Sequence, residues 1–282
     1  MALIVHTNDG SYNTGRNFSR STKKLGRLFD RLPSGLNIQR QTDDFVGLSL
    51  AAGMTTQLRD TNGAIRNTND AISSVQVADD ALVETLNALR KIRDLALQGR
   101  TNDSIVVAGA DLQREINRMV GEIQRISLQT KFNDQKVVNG SFAKRKFQVG
   151  VEGNQTLVVT INAASVGALG LNSTQARIYS RSGTIEQMQS MAAGLIARVD
   201  TALDSISDIR TDLGIYQSRF KTIINHLSRM EANTQLAQSR ICDADMAEET
   251  AKLTRNAIVD HSGIGIMAQA NQQAQIAMQL LS

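Results

Sequence analysis

The sequence has no tryptophan, one proline, one cysteine and only 4% aromatic residues in 282 positions. Aromatic side chains dominate thick globular cores, so their scarcity favours thin packing between helices. The single Pro33 leaves almost the whole chain free of a strong helix breaker, so long helices are allowed. The lone Cys242 has no intramolecular disulfide partner and is interpreted as a small packing residue.

Long apolar runs are also missing. The first apolar stretch, "ALIV", is too short for the hydrophobic core of a signal peptide. No run approaches the roughly 18 apolar residues that cross a membrane. We therefore expect no membrane insertion and no cleavable signal peptide.

Groups that could carry chemistry are scattered. The segment "GIGIMA" at 263–268 satisfies a dinucleotide fingerprint formally, but it lacks the strand and following chain that this site needs. Close helix packing is the better interpretation of its small residues. Neither the histidines nor the paired acids suggest a metal or acid–base site; they are His6, His226 and His261, with Asp43-Asp44, Asp79-Asp80 and Glu248-Glu249. We expect no catalytic residue, cofactor or metal.

Charge is distributed unevenly between the two ends of the chain. Residues 1–42 contain seven bases against two acids, whereas residues 242–282 contain five acids against two bases. A basic arm could bind nucleic acid, but that would leave the acidic end unexplained. Pairing of the two ends accounts for both, and we expect no nucleic-acid partner.

Apolar residues spaced alternately four and three apart predict long helices. One stripe runs from Leu195 to Ile241, with a capping box predicted just upstream at Thr184 and Gln187. A second stripe, from Leu58 to Ile92, is expected to end at "LQGRTND", where Gly99 and the polar cluster stop the helix, and a third runs from Leu112 to Ile126. The fourth stripe stops at Pro33 and consists of Phe18, Thr22, Leu25, Phe29 and Leu32.

Only the middle of the chain alternates with the period of a strand. Phe147, Val149 and Val151 precede a Glu152-Gly153-Asn154 turn, and Leu157, Val159 and Ile161 follow it, which predicts a β-hairpin. Asn139-Gly140 predicts another tight turn. The expected fold is mainly α: a folded-over rod of long helices with a small β-hairpin, whose terminal helices form a coiled coil.

The last 21 residues, 262–282, contain no charged side chain. As a helix, this tail would be apolar on two neighbouring stripes, and it needs a partner to remain soluble. Copies of the same chain could cover it, because contact that does not close on itself builds a helical filament. The predicted subunit-contact residues are Phe18, Leu25, Phe29, Leu32, Met267, Ala274, Ile276, Leu280 and Leu281.

Motifs along nearly the whole chain resemble those of bacterial flagellin. They occur in family order and include "DRLPSGLNI", "RNTNDAISSVQVADDAL", "TKFNDQKVVNG", "SRICDADMAEET" and "MAQANQQAQIAMQLL". The resemblance implies an inner coiled-coil domain that consists of residues 1–42 and 242–282, with the start of the spoke segment within residues 1–42. It implies an outer rod domain from 43–180, with helices and hairpin, and 181–241, the long C-terminal helix. Large variable domains look absent.

The resemblance also implies a function and partners. The chain would be a structural protein that polymerises, with itself or with other flagellins, into the extracellular filament used for swimming. Its export would follow the flagellar type III route, with an export chaperone on the C-terminal helix. Flagellar cap and hook–filament junction proteins would be further partners.

A receptor patch follows from the same resemblance. "LRKIRDLALQ" and the "QRE" helix correspond to the surface that Toll-like receptor 5 recognises in many flagellins, which places Lys91, Leu95 and Glu115 at the positions that matter most. Lys91 stands where the family usually has Arg, and Lys lacks the planar multi-donor group of Arg. We expect weaker signalling than from a typical flagellin.

One other class of function fits part of the sequence. A cytoplasmic coiled-coil scaffold or a nucleic-acid-binding rod would explain the heptads and the basic arm, but not the uncharged tail. Salt separates the two, because phosphate binding weakens as salt rises, whereas apolar contacts strengthen in sulfate. An enzyme would need a site that the sequence does not offer.

Overall fold

The computed structural model describes residues 9–101, 105–172, 174–181 and 183–279. The fold is mainly α, as predicted, with two short antiparallel hairpins. The chain divides into two compact units: Arg59–Glu231 is the central unit, and Met1–Leu58 with Ala232–Ser282 is the terminal unit. In chain order the elements are α1 (Asp9–Ser34), α2 (Phe45–Thr101), α3 (Ile105–Gln129), β1 (Lys131–Phe132), β2 (Gln135–Lys136), β3 (Arg145–Gln148), β4 (Thr156–Val159), α4 (Ile185–Cys242) and α5 (Met246–Gln279).

Side chains cap the starts of three helices. The predicted capping box at α4 is confirmed: the Thr184 N–H donates to Gln187 Oε1 at 3.2 Å, and the Gln187 N–H donates to Thr184 Oγ1 at 3.4 Å. Asp44 accepts hydrogen bonds from the first turn of α2, and Asp245 does the same for α5. Each carboxylate satisfies amide groups that have no partner within the helix.

The ends of α1 and α2 agree with the sequence prediction. α1 ends at Ser34, one residue beyond Pro33, and Gly35 then adopts a φ of 68°, which glycine tolerates and most residues do not. α2 runs through Gly99 and ends at Thr101, within the predicted segment "LQGRTND". A single glycine costs a helix only about 1 kcal/mol, which packing on both sides of it readily offsets.

The core of the central unit lies among α2, α3 and α4, on the faces that the apolar stripes predict. Two ion pairs tie α2 to α4: Arg93 Nε lies 2.7 Å from Asp200 Oδ1, and Arg210 Nε lies 2.7 Å from Asp79 Oδ1. These hydrogen-bonded carboxylates raise the pKa of both arginines. The largest fully buried helical side chains are Leu82, Leu89, Ile92, Ile116, Ile123, Leu195, Ile206 and Phe220.

The predicted β-hairpin is confirmed, although its strands are shorter than the alternating pattern. β3 pairs antiparallel with β4, and Phe147 lies opposite Leu157. The Phe147 ring meets the buried Phe220 ring of α4 edge-on, with 6.0 Å between centroids. This contact attaches the hairpin to the helical core.

A second hairpin and a buried loop were not predicted. β1 and β2 are joined by Asn133 and Asp134, whose φ angles are 47° and 61°. Asn and Asp favour this conformation, so "FNDQ" did carry a turn signal. The loop after β4 buries Ile161, Leu171 and Ile178, among others. Its last part is anchored by the Gln113 side chain, which bonds Ala176 O and the N–H groups of Ile178 and Tyr179.

Candidate functional site

α1 and α5 pack together in the terminal unit and form the candidate functional surface. Their direction is antiparallel, since Thr22 Oγ1 lies 3.3 Å from Asp260 Oδ1 and Leu36 forms an antiparallel bridge with Asp243. Gly263 lies close to α1, because a Cβ there would sit 3.7 Å from the Phe18 ring. The small residue of "GIGIMA" therefore serves helix packing, within a continuous helix.

The buried side of α1 differs from the predicted stripe at two positions, where Ser21 and Leu28 are buried in place of Thr22 and Phe29. Ser21 and Leu28 are both 6% exposed and are the buried residues among the described α1 side chains. With Phe18, Leu25 and Leu32, which are half-buried, they repeat every three or four residues along one face. We call this face the intrachain seam.

Phe29 lies outside the intrachain seam. Its side chain is 59% exposed, although the sequence pattern grouped it with Phe18, Leu25 and Leu32. An aromatic ring in this position contributes little to α1–α5 packing and remains available to another surface.

α5 leaves several of its apolar side chains exposed. Of the α5 side chains that the structure describes, only Glu249 is buried, and it is not apolar. Met267 is half-buried against α1, beside a cleft of about 600 Å³ that Tyr12, Arg16 and Arg20 also line. Ala274, Leu280 and Leu281 of the prediction lie outside the described side chains. The exposed isoleucines are Ile258 at 61%, Ile264 at 53%, Ile266 at 56% and Ile276 at 55%.

Charge does not join α1 to α5 in the way that the terminal charge imbalance suggested. In the described part of the chain, each ion pair of the terminal unit stays within one end. Arg40 pairs with Asp30 at 3.0 Å, and Lys252 pairs with Glu249 at 2.9 Å. The hydrogen bonds that Lys252 donates to Glu249 and then to Glu248 raise the pKa of Lys252. The helices therefore associate through side-chain packing and the Thr22–Asp260 hydrogen bond.

Backbone hydrogen bonds fix the place where the two ends of the chain meet. The Asn37 N–H donates to Cys242 O at 2.7 Å, and the Ala244 N–H donates to Gly35 O at 2.8 Å. The Cys242 thiol is half-buried, and burial, with the nearby Asp243 charge, raises its pKa. A protonated, partly covered thiol is a weak nucleophile, in keeping with a packing role.

The receptor-patch residues lie in the central unit and differ in exposure. Lys91 is exposed on α2, whereas Leu95, one turn further along, is only 7% exposed. Glu115 on α3 is half-buried, and its Oε2 lies 3.7 Å from Arg118. Lys91 and Glu115 therefore offer accessible charge, while Leu95 mainly belongs to the core.

Neither metal nor membrane chemistry is indicated by the residues that the structure describes. No group of three or more His, Cys, Asp or Glu side chains among them could hold a metal ion. None of the described helices is long and apolar enough to cross a membrane. The most unusual feature of the terminal unit is thus its exposed apolar surface.

Two family profiles match the chain. The bacterial flagellin N-terminal helical region matches residues 5–143, and the bacterial flagellin C-terminal helical region matches residues 196–281. The chain belongs to the bacterial flagellin family. Its two profile regions contain α1 and α5, so the exposed apolar helices fall within the family's own segments.

Relatives match this flagellin from end to end. It is 32% identical to the flagellin of Halalkalibacterium halodurans and 33% identical to that of Bacillus subtilis, over 99% of this chain and 100% of each relative. The flagellar filament 30.7 kDa core protein of Treponema maltophilum is 31% identical with the same coverage. This flagellin is a short form without a large outer domain. Flagellins are structural filament proteins and not enzymes.

Proposed function

We propose that this flagellin polymerises into the extracellular filament used for swimming, and that α1 and α5 form its principal subunit contacts. The observation that carries this proposal is the exposure of the α5 isoleucines. Each retains more than half of its surface in the isolated chain. Burying such surface against another copy removes apolar area from water and drives association.

The two terminal helices cannot cover one another completely. The intrachain seam uses one face of α1, which leaves Phe29 outside it. On α5, apolar side chains point away from α1 as well as toward it, since Met267 lines the α1 cleft while Ile264 and Ile266 remain exposed. Neighbouring copies supply the missing partners, and a heterologous contact of this kind repeats into a helical polymer.

Removal of the uncharged tail tests the proposal. Purified full-length chain and a version ending at His261 would be added to sheared filament seeds, and elongation followed by electron microscopy. We expect the full chain to elongate the seeds and the truncated chain not to. The thermal transition of the central unit, compared in the two proteins, controls for general loss of folding. Equal elongation by both proteins would refute a role of the tail in subunit contact.

The domain organisation belongs to the same proposal. Residues 1–42 and 242–282 form the inner coiled coil of the filament, and residues 43–180 and 181–241 form the outer domain. The proposed subunit contacts are those on the terminal helices: Phe18, Leu25, Phe29, Leu32, Met267, Ala274, Ile276, Leu280 and Leu281. The exposed isoleucines of α5 extend this set.

The proposal also includes partners that bind the subunit during export and at the ends of the filament. We place an export chaperone on the C-terminal helix, because the exposed apolar side chains of its uncharged part need cover before assembly. Export follows the flagellar type III route. The flagellar cap and hook–filament junction proteins bind the same terminal surfaces at the two ends of the filament, and other flagellins can share the lattice.

Innate immune recognition is a further part of the proposal. Toll-like receptor 5 contacts the Lys91 and Glu115 side chains. Leu95 supports this surface from the core, where it helps to hold α2 in position. The Lys91→Arg variant should signal more strongly than the native chain, because Arg presents a planar group with several donors. A reporter-cell dose response in which the two proteins are equally potent would contradict this assignment.

A further inference from the structure

The central unit carries a concentrated basic surface that the proposed terminal contacts do not use. Lys144, Arg145 and Lys146 are consecutive and exposed at the start of β3, and we call them the basic cluster. Arg145 lies over the Phe142 ring at 5.9 Å, but none of the three forms an ion pair with a described residue. Basic side chains grouped in this way attract a negatively charged partner.

Two more lysines add to this surface. Lys131 of β1 lies directly opposite Lys136 of β2, and like charges in that position repel one another. The two hairpins border the same cleft, which is lined by Phe132 and Gln135 from one and by Arg145 and Lys146 from the other. Asp70 of α2 also borders this cleft, without forming an ion pair with the cluster.

α4 carries the complementary surface. Asp204, Asp208 and Asp212 are exposed and four residues apart, so they lie along one side of the helix, and we call them the acidic ridge. The buried Ile206 and Ile209 mark the opposite side, which faces the core. No ion pair to any of the three aspartates occurs in the described part of the chain.

The acidic ridge is unfavourable for an isolated helix. Like charges at this spacing repel, and no base on α4 is paired with them. Asp200, one turn before the ridge, differs from these three aspartates because it forms an ion pair with Arg93 of the same chain. The ridge thus presents a line of carboxylates that form no ion pair with the residues that the structure describes.

We propose that the basic cluster of one copy docks on the acidic ridge of a neighbouring copy in the filament. This proposal rests on the proposed polymerisation and adds a second, electrostatic contact through the central unit. Each surface has three charges of one sign that form no ion pair among the described residues. The ridge spans about 12 Å along α4. Successive strand residues point to opposite faces, but Arg145 and Lys146 line the same cleft, so their long side chains reach one surface. Because the two surfaces differ, the contact is heterologous and repeats without closing.

Charge reversal tests the proposal directly. One variant, Lys144→Glu/Arg145→Glu/Lys146→Glu, makes both surfaces negative; another, Asp204→Lys/Asp208→Lys/Asp212→Lys, makes both positive. We expect each variant alone to elongate wild-type seeds at least tenfold more slowly than the wild type. An equimolar mixture should recover elongation, because the cluster of each variant then meets a ridge of opposite sign. A control of equal charge change, Arg219→Glu/Lys221→Glu/Arg229→Glu, alters exposed bases elsewhere on α4. Mixing this control with the positive variant should not restore the elongation that the positive variant lacks, because the control does not change the basic cluster.

The outcomes separate this proposal from the proposed function. Failure of the wild type to elongate seeds would count against polymerisation itself. Normal elongation by both variants alone would overturn the cluster–ridge contact and leave the basic cluster to a polyanion outside the filament. Slow elongation that the mixture does not restore would also overturn it, because the two surfaces would then matter without meeting. Thermal unfolding of every variant confirms that the central unit remains folded.

Discussion

Shortening two exposed isoleucines of α5 should separate the stability of the subunit from that of the polymer. In the Ile264→Ala/Ile266→Ala variant each side chain loses three carbons, whose full burial is worth about 2.4 kcal/mol at roughly 0.8 kcal/mol per methylene. Ile264 is 53% exposed and Ile266 is 56% exposed. If neighbouring copies cover that remaining half, the loss is about 1.3 kcal/mol per residue on the same scale.

The two losses together amount to about 2.6 kcal/mol, which raises the critical concentration for assembly roughly 70-fold. Sedimentation of filaments grown from seeds gives this concentration as the protein that remains in the supernatant. The central unit should unfold almost as before, within about 0.5 kcal/mol, because Ile264 and Ile266 belong to the terminal unit and make no part of its core. Ala also has a higher helix propensity than Ile, so the variant keeps α5 helical.

A buried isoleucine provides the matched control. Ile206 of α4 is fully buried, so Ile206→Ala should lower the free energy of unfolding of the monomer by about 2–5 kcal/mol. Its effect on the critical concentration should be small under conditions where the monomer stays folded. An unchanged critical concentration for the α5 variant would refute the reasoning, since Ile264 and Ile266 would then face solvent in the filament as well.

Two further predictions concern local structure. Gly140→Ala should destabilise the central unit by about 1–3 kcal/mol, because Gly140 has a φ of 91° and the new Cβ would lie 2.9 Å from the Ala163 Cβ. Urea unfolding measures the loss, with Gly153→Ala as the control, because a Cβ at Gly153 meets open space. Equal destabilisation by the two substitutions would contradict the prediction. Alkylation of Cys242 should reach half its maximal rate at higher pH than for a cysteine peptide, because burial raises the pKa of the thiol. At a pH where the unfolded chain has begun to lose the thiol proton, the folded chain still keeps it, so the free energy of unfolding should fall above about pH 8.5. An alkylation rate that depends on pH as the peptide's does would refute the raised pKa.

Periodicity predicted the helices because burial on one face imposes a regular spacing on the sequence. The stripe from Leu195 to Ile241 lies within α4, and Thr184 with Gln187 marks its start. The hairpin was visible for the same reason, since Phe147 and Leu157 alternate with polar or small neighbours. Local patterns of this kind are written in consecutive residues and need no knowledge of the partner.

Other features depend on residues that are distant in sequence. The pairing of Arg93 with Asp200 and of Arg210 with Asp79 joins positions more than 100 residues apart, and no spacing rule relates them. On α1, Phe18 and Phe29 belong to one sequence stripe, yet only Phe18 lies on the intrachain seam. A helix that meets two partners has two overlapping stripes, and the sequence does not say which partner covers each.

A cryo-electron microscopy map of the filament tests the central claim most directly. The account predicts that Phe29 of α1 and Ile264 and Ile266 of α5, which are exposed in the isolated chain, are buried against neighbouring copies. A filament in which these three side chains face solvent, with subunits joined only through the central unit, would contradict it.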